Sequence, residues 1–302
     1  NSDVILMIGG RLDNQMNFGN PPFFLEKSKL ICINGSHEEL EYNRAADEVL
    51  LSDPGAFLAE LIKVDGNWND WLIKQKNNRK KWVDEWYSHI EKESAKDKKN
   101  SDKMHPLQLS LDVQSQLNEK DWFIFDGGNT HFWSEIAVNM AGWKGQKLGG
   151  IMHPGNYSLL GVGVSFAISA KAKNPNQNVI LISGDGAFLS GGLSVEAAFQ
   201  EKLPIIVIID NNGGLDCISQ QQERLFDSGK HFATDFRDIP FHSMFEGLGG
   251  YGELVENREQ LIPALKRAIV SGKTACLNVK CRGVISPIVA ATSDKRDKAS
   301  IE

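Results

Sequence analysis

An aspartate and an asparagine lie 27 residues apart, each directly after an apolar run. Asp185 follows the run 178–183 within a Gly-Asp-Gly tripeptide, and Asn212 follows the run 205–210 within Asn-Asn-Gly-Gly. Carboxylate and amide oxygens are ligands that Mg²⁺ prefers, and the ion usually takes only one or two carboxylates, leaving positions for water and phosphate oxygens. The two motifs therefore predict a divalent cation that anchors a phosphorylated ligand.

The segment between the two motifs predicts how they meet. Residues 194–201 have a helical pattern and Pro204 precedes the second apolar run, which indicates a strand, a helix and a parallel strand joined by a right-handed crossover. Parallel neighbours end at the same sheet edge, so we expect the metal ligands to be Asp185, Asn212 and a backbone carbonyl near Gly214. Glycines beside the aspartate let the backbone approach phosphates, and the following helix offers its amides.

A lone Gly-Asp-Gly is usually an ordinary turn, but its pairing with Asn-Asn reverses that interpretation. Here the chain resembles the thiamine-diphosphate-dependent enzymes, whose motif runs Gly-Asp-Gly, slightly more than two dozen residues, then Asn-Asn. It looks like the acetolactate synthase branch. The wording Ser190-Gly191-Gly192 and Asn211-Asn212-Gly213-Gly214 is similar to the oxalyl-CoA decarboxylase and 2-hydroxyacyl-CoA lyase subgroup.

The resemblance implies further site residues in two other loops. Leu160 matches the apolar side chain that props the bent cofactor, although by itself it reads as a core leucine, and the Ser158 carbonyl would accept a bond from the cofactor's amine. Asn129 and Thr130 match a loop that contacts the diphosphate or the substrate, or they form an ordinary turn. The predicted cofactor-binding set is Asn129, Thr130, Ser158, Leu160, Gly184, Asp185, Gly186, Ala187, Asn212 and Gly214.

Two histidines are predicted to border the same crevice. His131 and His153 lie in loops at the expected ligand edge of the sheet, so we assign them with Leu160 as catalytic candidates that could handle protons. A structural hydrogen-bonding role is the alternative for each.

Composition narrows the class of protein. The chain is 41% hydrophobic and 24% charged with a formal charge of −6, which is typical of a globular protein and argues against nucleic acid or an anionic membrane as partner. It has no apolar run long enough to span a membrane and no signal segment at its start, so a cytoplasmic location is predicted. Four irregularly spaced cysteines predict reduced thiols, mostly in the core.

The predicted fold class is α/β, with a parallel-sheet thiamine-diphosphate-binding domain preceded by the second half of a Rossmann-like central domain. The latter follows from resemblance, because Gly10-Arg-Leu-Asp13 and Phe18-Gly-Asn-Pro-Pro22 follow the first strand as in these enzymes. Within the first part, Ser36 and Glu39 predict a helix with a capping box. The predicted division is 1–65 for the central part, 66–104 for a helical linker, 105–285 for the cofactor domain and 286–302 for a tail.

The resemblance implies a lyase or carboligase that acts beside the carbonyl of a 2-oxo acid or a 2-hydroxyacyl-CoA. In the family, a glutamate from a pyrimidine-binding domain activates the cofactor. These 302 residues have no segment for that domain. We therefore expect the chain to be the C-terminal part of a larger protein or a subunit, with a partner polypeptide that carries the domain, in a dimer or tetramer. FAD, ADP or CoA could bind the central domain, and the alternatives are an acetolactate synthase-type transferase or a nucleotide-binding regulatory subunit with a vestigial metal site.

Overall fold

The computed structural model describes residues 2–13, 16–21, 23–40, 42–64, 66–96, 103–226 and 231–293. The chain forms two compact units, Asn1–Gln75 and Lys76–Glu302. Residues 97–102 of the predicted helical linker, and residues 294–302 of the predicted tail, lie outside the described residues. The four predicted domain bounds stay predictions.

The first unit contains a small parallel sheet. Strands β1 (Val4–Ile8), β2 (Lys29–Asn34) and β3 (Glu48–Leu51) lie in that order, and helix α1 (Pro54–Leu61) follows. Asp53 caps α1, because its Oδ1 accepts a hydrogen bond from the Ala56 amide at 2.8 Å.

The capping box predicted at Ser36 is wrong. Only a three-residue 3₁₀ helix, His37–Glu39, follows Ser36, and the Ser36 side chain makes no capping bond. The Glu39 carboxylate instead pairs with the Arg11 guanidinium, 28 residues earlier in the chain. Glu39 thus pairs with Arg11, which comes close only when the chain folds, instead of forming the local capping bond at Ser36.

The second unit is built on a six-stranded parallel sheet in the order β5-β4-β6-β7-β9-β8. The strands are β4 (Trp122–Phe125), β5 (Gly150–Met152), β6 (Val179–Gly184), β7 (Ile206–Asn211), β8 (Tyr251–Val255) and β9 (Ala275–Lys280). The central strands are continuous apolar runs because helices cover both faces of the sheet. This confirms the predicted α/β class and brings the carboxyl ends of β4, β6 and β7 to one edge.

The two faces of the sheet carry separate apolar cores. Helices α3 (Pro106–Gln114) and α10 (Arg258–Ser271) cover one face, and α5 (Gly163–Lys173) and α9 (Phe241–Gly247) cover the other. The remaining helices are α2 (Asn69–Ser94), α4 (Asn129–Trp143), α6 (Asp185–Gly191), α7 (Glu196–Gln200), α8 (Asp216–Phe226) and α11 (Pro287–Ser293).

Helix α2 lies within the predicted helical linker, in a polar stretch that is rich in tryptophan. Trp68 precedes the helix and Trp71 is 51% exposed. In the second unit, Trp82 packs edge-on against Trp86, and Trp86 packs edge-on against Trp133 of α4. Among the described residues, no helix is both long and apolar enough to cross a membrane.

Candidate cofactor site

Asp185 lies where β6 ends and α6 begins, and the residue is only 2% exposed. Its Oδ1 accepts the amide of Gly186 at 2.7 Å. Its Oδ2 accepts the amides of Gly213 at 2.8 Å and Gly214 at 3.1 Å. The two motifs therefore meet at one carboxylate, because β6 and β7 are paired with Gly184 opposite Asp210.

The electrostatics of this carboxylate are unusual. Burial raises the pKa of Asp185 to about 6, the bond from the Gly213 amide opposes the shift, and the charge of Asp210 adds to it. Burial likewise raises the pKa of Asp210, and hydrogen bonds from the Thr130 hydroxyl and the Cys281 thiol oppose that shift. Burial and the charges of Asp210 and Asp185 raise the pKa of Asp216 to about 7. A cation bound beside these neighbouring carboxyl groups would favour their ionised forms.

The Asn212 loop is held in one conformation by its neighbours. The Asn212 Oδ1 accepts the Gly214 amide at 3.2 Å, and Gly213 has a φ of 88°, which favours glycine. A Cβ on Gly214 would lie 2.5 Å from the Thr234 carbonyl oxygen, so this position has no room for a side chain. Glycine here lets the two backbones approach closely.

The first turn of α4 lies beside these strand ends. Thr130 is buried, and its hydroxyl donates to Asp210 Oδ2 at 2.8 Å. Asn129 is also buried, but its amide nitrogen donates to Gln220 at 3.3 Å and its oxygen accepts the Ser286 amide at 3.3 Å. Both predicted residues are therefore at the site, and both are engaged with protein groups.

Segment 155–163 reaches the same edge from the side of β4. Ser158 has a left-handed φ of 46°, and Leu160 is half-buried. A Cβ on Gly127 would lie 2.8 Å from both the Leu160 Cδ2 atom and the Ser158 carbonyl oxygen. The predicted prop and carbonyl acceptor thus pack on the glycine turn that follows β4. Further along, a Cβ on Gly161 would lie 2.8 Å from the Gly191 nitrogen, so this segment also meets the end of α6.

The two predicted histidines contact each other. The ring centroids of His131 and His153 are 5.0 Å apart, and His153 stacks on Phe125 at 5.0 Å. His131 is 4% exposed, and its Nδ1 has no partner among the described residues. Burial, followed by the charge of His153, lowers the pKa of His131 to about 4, so that this imidazole is neutral at pH 7. His153 is exposed and its Nδ1 accepts the Gly155 amide at 3.2 Å.

Three acidic residues at this edge were not among the predicted site residues. Asp126 and Asp210 occupy the ends of β4 and β7, as Asp185 occupies the end of β6, and Asp216 begins α8. The recurrence of an acidic residue at successive strand ends was a readable signal. Their burial and their partners were not, because these depend on residues remote in sequence.

The groups present fit a hard divalent cation beside a diphosphate. The donors at the strand ends are oxygens: the Asp185 carboxylate, the Asn212 side-chain oxygen and backbone carbonyls of the glycine loop. The described residues contain no group of three or more histidine, cysteine, aspartate or glutamate side chains suited to a metal ion. The predicted donor set does not need one, because it uses a single carboxylate.

Comparison with known proteins decides the family. Residues 126–279 match the family described as thiamine pyrophosphate enzyme, C-terminal TPP binding domain, which is half of the chain. The chain belongs to the thiamine pyrophosphate enzymes. The matched region runs from the end of β4 to the end of β9, and it contains every residue of the predicted cofactor and metal sets.

Individual relatives of the chain fall in two groups by name. The chain is 27% identical to 2-hydroxyacyl-CoA lyase 1 of Mus musculus over 91% of its length and 48% of the relative. It is 25% identical to 2-hydroxyacyl-CoA lyase of Oryza sativa subsp. japonica, over 97% of the chain and 50% of the relative. It is also 25% identical to the acetolactate synthase large subunit IlvG of Mycobacterium tuberculosis, over 92% of the chain and 48% of the relative. The chain thus spans about half the length of the curated relatives it matches.

Proposed function

We propose that this chain supplies the thiamine diphosphate and Mg²⁺ site of an enzyme that breaks or forms a carbon–carbon bond beside a carbonyl group. The observation that carries the proposal is the meeting of two motifs at one buried carboxylate. Asp185 Oδ2 accepts amides from both Gly213 and Gly214. The two motifs, 27 residues apart in sequence, are therefore adjacent at the strand ends, and this supports a shared set of oxygen ligands.

The proposed metal ligands are the Asp185 carboxylate, the Asn212 side-chain oxygen and the Gly214 carbonyl. A cation there would favour the ionised form of Asp185, whose pKa is raised by burial and further by the charge of Asp210. In the proposed arrangement, the Ala187 amide in the first turn of α6 would bind the diphosphate, and the Gly186 amide would have to leave Asp185 Oδ1 to do the same. Gly184 and Thr130 complete the proposed cofactor-binding residues at the strand ends. They lie close together, since a Cβ on Gly184 would lie 3.1 Å from the Thr130 hydroxyl oxygen. Asn129 would have to release Gln220 or Ser286 to bind the ligand itself.

When bound, thiamine diphosphate supplies an electron sink for cleavage beside a carbonyl. In the proposed arrangement, Leu160 supports the ring end of the cofactor and the Ser158 carbonyl accepts a hydrogen bond from its amine. Both groups lie against Gly127, just after β4, and β4 pairs with β6, which leads into Asp185; this supports placing them in the same site as the proposed metal ligands. This separates an anchoring half of the site from a ring-positioning half.

The two histidines are the proposed proton-handling groups. His131 is neutral at physiological pH and its buried Nδ1 has no partner among the described residues, while the exposed ring of His153 lies next to it and can exchange protons with water. In this proposal, His131 is the inner group and His153 the outer group.

The substrate class follows from the names of the relatives. Lyase relatives named for 2-hydroxyacyl-CoA favour cleavage of a 2-hydroxyacyl thioester, and the acetolactate synthase relative keeps carboligation of 2-oxo acids as the second candidate. An assay of aldehyde release from a 2-hydroxyacyl-CoA against acetolactate formation from pyruvate separates the two. We also propose that the first unit binds a CoA, ADP or FAD group. The proposed location of the protein is the cytoplasm.

A partner polypeptide with the pyrimidine domain is part of the proposal. Four large apolar side chains beside the candidate site are exposed: Tyr157 (94%), Leu159 (60%), Leu189 (48%) and Leu193 (77%). Segments 155–163 and 185–195 that carry them meet at Gly161 and Gly191. We propose that the partner domain covers this rim, in a dimer or tetramer.

The binding test is a calorimetric titration of the chain with thiamine diphosphate, with and without Mg²⁺. We expect saturable binding that requires the metal. Binding that ignores Mg²⁺, or no binding, would support the competing interpretation of a nucleotide-binding regulatory subunit with a vestigial site. Titration with ADP and CoA then tests that alternative directly.

A further inference from the structure

We propose that Asp126 is a positioning residue that holds the ring-end segment of the site, residues 158–163, against the glycine turn after β4. This inference rests on the proposed function. Asp126 is fully buried at the carboxyl end of β4, and it does not lie among the groups proposed to bind the metal, diphosphate or ring.

The carboxylate of Asp126 gathers four donors from three separate segments. Oδ1 accepts the amides of Gly127 at 2.8 Å and Gly161 at 3.0 Å. Oδ2 accepts the amide of Gly163 at 3.1 Å and the hydroxyl of Ser183 at 3.2 Å. Each donor gives up a bond to water when it is buried, so loss of the acceptor would leave several groups unsatisfied together.

These bonds determine where Leu160 and Ser158 lie. Gly161 follows Leu160 directly, and Gly163 begins α5, so both ends of the short connection are tied to one carboxylate. A Cβ on Gly163 would lie 2.8 Å from Asp126 Oδ2, which shows how closely this backbone approaches the carboxylate. Ser183, on β6, links the same group to the strand that leads into Asp185.

A matched control lies at the opposite end of β4. Asp121 is 2% exposed and accepts the Asn118 amide at 3.0 Å, the Asn118 side chain at 2.6 Å and the Asn178 amide at 3.2 Å. It is therefore a buried carboxylate with several donors, bordering the same strand, but at the edge away from the candidate site. Asp126→Asn and Asp121→Asn remove comparable bonds from the two edges.

The experiment compares the 302-residue chain with both variants for binding of thiamine diphosphate and of inorganic pyrophosphate, each with Mg²⁺. In Asp126→Asn we expect thiamine diphosphate affinity to fall about tenfold or more, while pyrophosphate affinity stays within about twofold. In Asp121→Asn we expect both affinities to be unchanged. Backbone hydrogen exchange should quicken at residues 158–163 only in Asp126→Asn.

Equal losses for both ligands in Asp126→Asn would mean a general structural role, and no loss for either would mean no positioning role; each overturns the inference. Failure of the wild-type chain to bind thiamine diphosphate would instead overturn the proposed function. If Asp126→Asn does not fold, Ser183→Ala removes one donor and keeps the carboxylate. A loss of about threefold for thiamine diphosphate alone is then expected, and unchanged affinity overturns the inference.

Discussion

Three buried aspartates occupy equivalent places at the ends of neighbouring strands, yet their surroundings differ. Asp126 is satisfied by four donors, and Asp185 accepts three backbone amides. Asp210 accepts hydrogen bonds from the Thr130 hydroxyl and the Cys281 thiol. Burial raises the pKa of all three carboxyls, so the bonds rather than the residue type distinguish their roles.

Asp185→Ala is expected to weaken Mg²⁺-dependent binding of thiamine diphosphate by about a hundredfold or more, because it removes the only charged group among the proposed ligands. Asn212→Ala should be milder, since water can replace one neutral ligand. Calorimetric titration measures both, and the exposed Asp84 on α2 offers Asp84→Ala as a control with wild-type affinity. If Asp185→Ala bound thiamine diphosphate with wild-type affinity, the assignment of Asp185 as a metal ligand would be wrong.

Leu160→Ala is expected to lower turnover by about tenfold in the assembled enzyme while cofactor affinity changes less than about threefold. The side chain contacts the ring-end turn at Gly127, and the proposed anchor at Asp185 is untouched. Steady-state kinetics beside a binding titration gives the comparison. Equal losses in kcat and affinity would identify Leu160 as a general packing residue.

At the scale of elements, α4 is the part of the fold that connects the site to the rest of the second unit. Its first turn carries Asn129, Thr130 and His131. Further along, the Trp133 indole donates to the Val284 carbonyl at 2.9 Å, and Ser134 is hydrogen-bonded to Ser110 of α3 at 2.9 Å. The start of α3 lies close by, since His105 packs edge-on against Trp133 at 4.8 Å.

Because His105 is buried, we expect the folding stability of the protein to decrease in acid. Burial lowers its pKa to about 3 in the folded state, whereas the unfolded value is about 6.5. The unfolded state therefore binds more protons below pH 6.5, and folding stability falls as the pH is lowered from there towards 3, by about 1.4 kcal/mol per pH unit for this group.

The variant His105→Asn keeps a side chain able to cap α3, where the His105 Nδ1 now accepts the Leu107 amide at 3.1 Å, but does not titrate. Urea unfolding at pH 7 and pH 5 should show about 2 kcal/mol less acid destabilisation in the variant than in the wild type. The same pH dependence in both proteins would contradict a buried, neutral His105.

At the scale of the whole molecule, the chain matches about half the length of its relatives, and the candidate site has an exposed apolar rim. We therefore expect the 302-residue chain alone, given thiamine diphosphate and Mg²⁺, not to accelerate hydrogen–deuterium exchange at cofactor C2. NMR follows the exchange, with free cofactor as the reference. Acceleration well above that reference without a second polypeptide would show that the chain itself contains the activating group.

The rim itself can be tested through assembly. Leu193→Asp places a charge in the exposed apolar cluster and should weaken association with a partner or a second copy by about tenfold, because the charge would have to be desolvated. Val270→Asp is a matched control, since Val270 is 86% exposed on α10, outside this cluster. Sedimentation at several concentrations measures association, and equal behaviour of the two variants would exclude the rim as the contact surface.

The sequence by itself determined the parallel strands and the pairing of two motifs. Continuous apolar runs specify buried parallel strands, and the 27-residue spacing around Asp185 and Asn212 leaves room for one crossover, so both properties are local and readable. The α/β class and the family follow from the same signals, and the family is confirmed.

Only the tertiary structure decided which side chains are buried together. Asp126 acts on amides 35 and 37 residues away, and the His131 ring meets His153 only because β4 and β5 pair. Asn129 is likewise held by Gln220 and Ser286. Hydrogen bonds and desolvation depend on distance in space rather than along the chain, so such partners and the resulting pKa shifts arise only when the sheet closes and its helices pack.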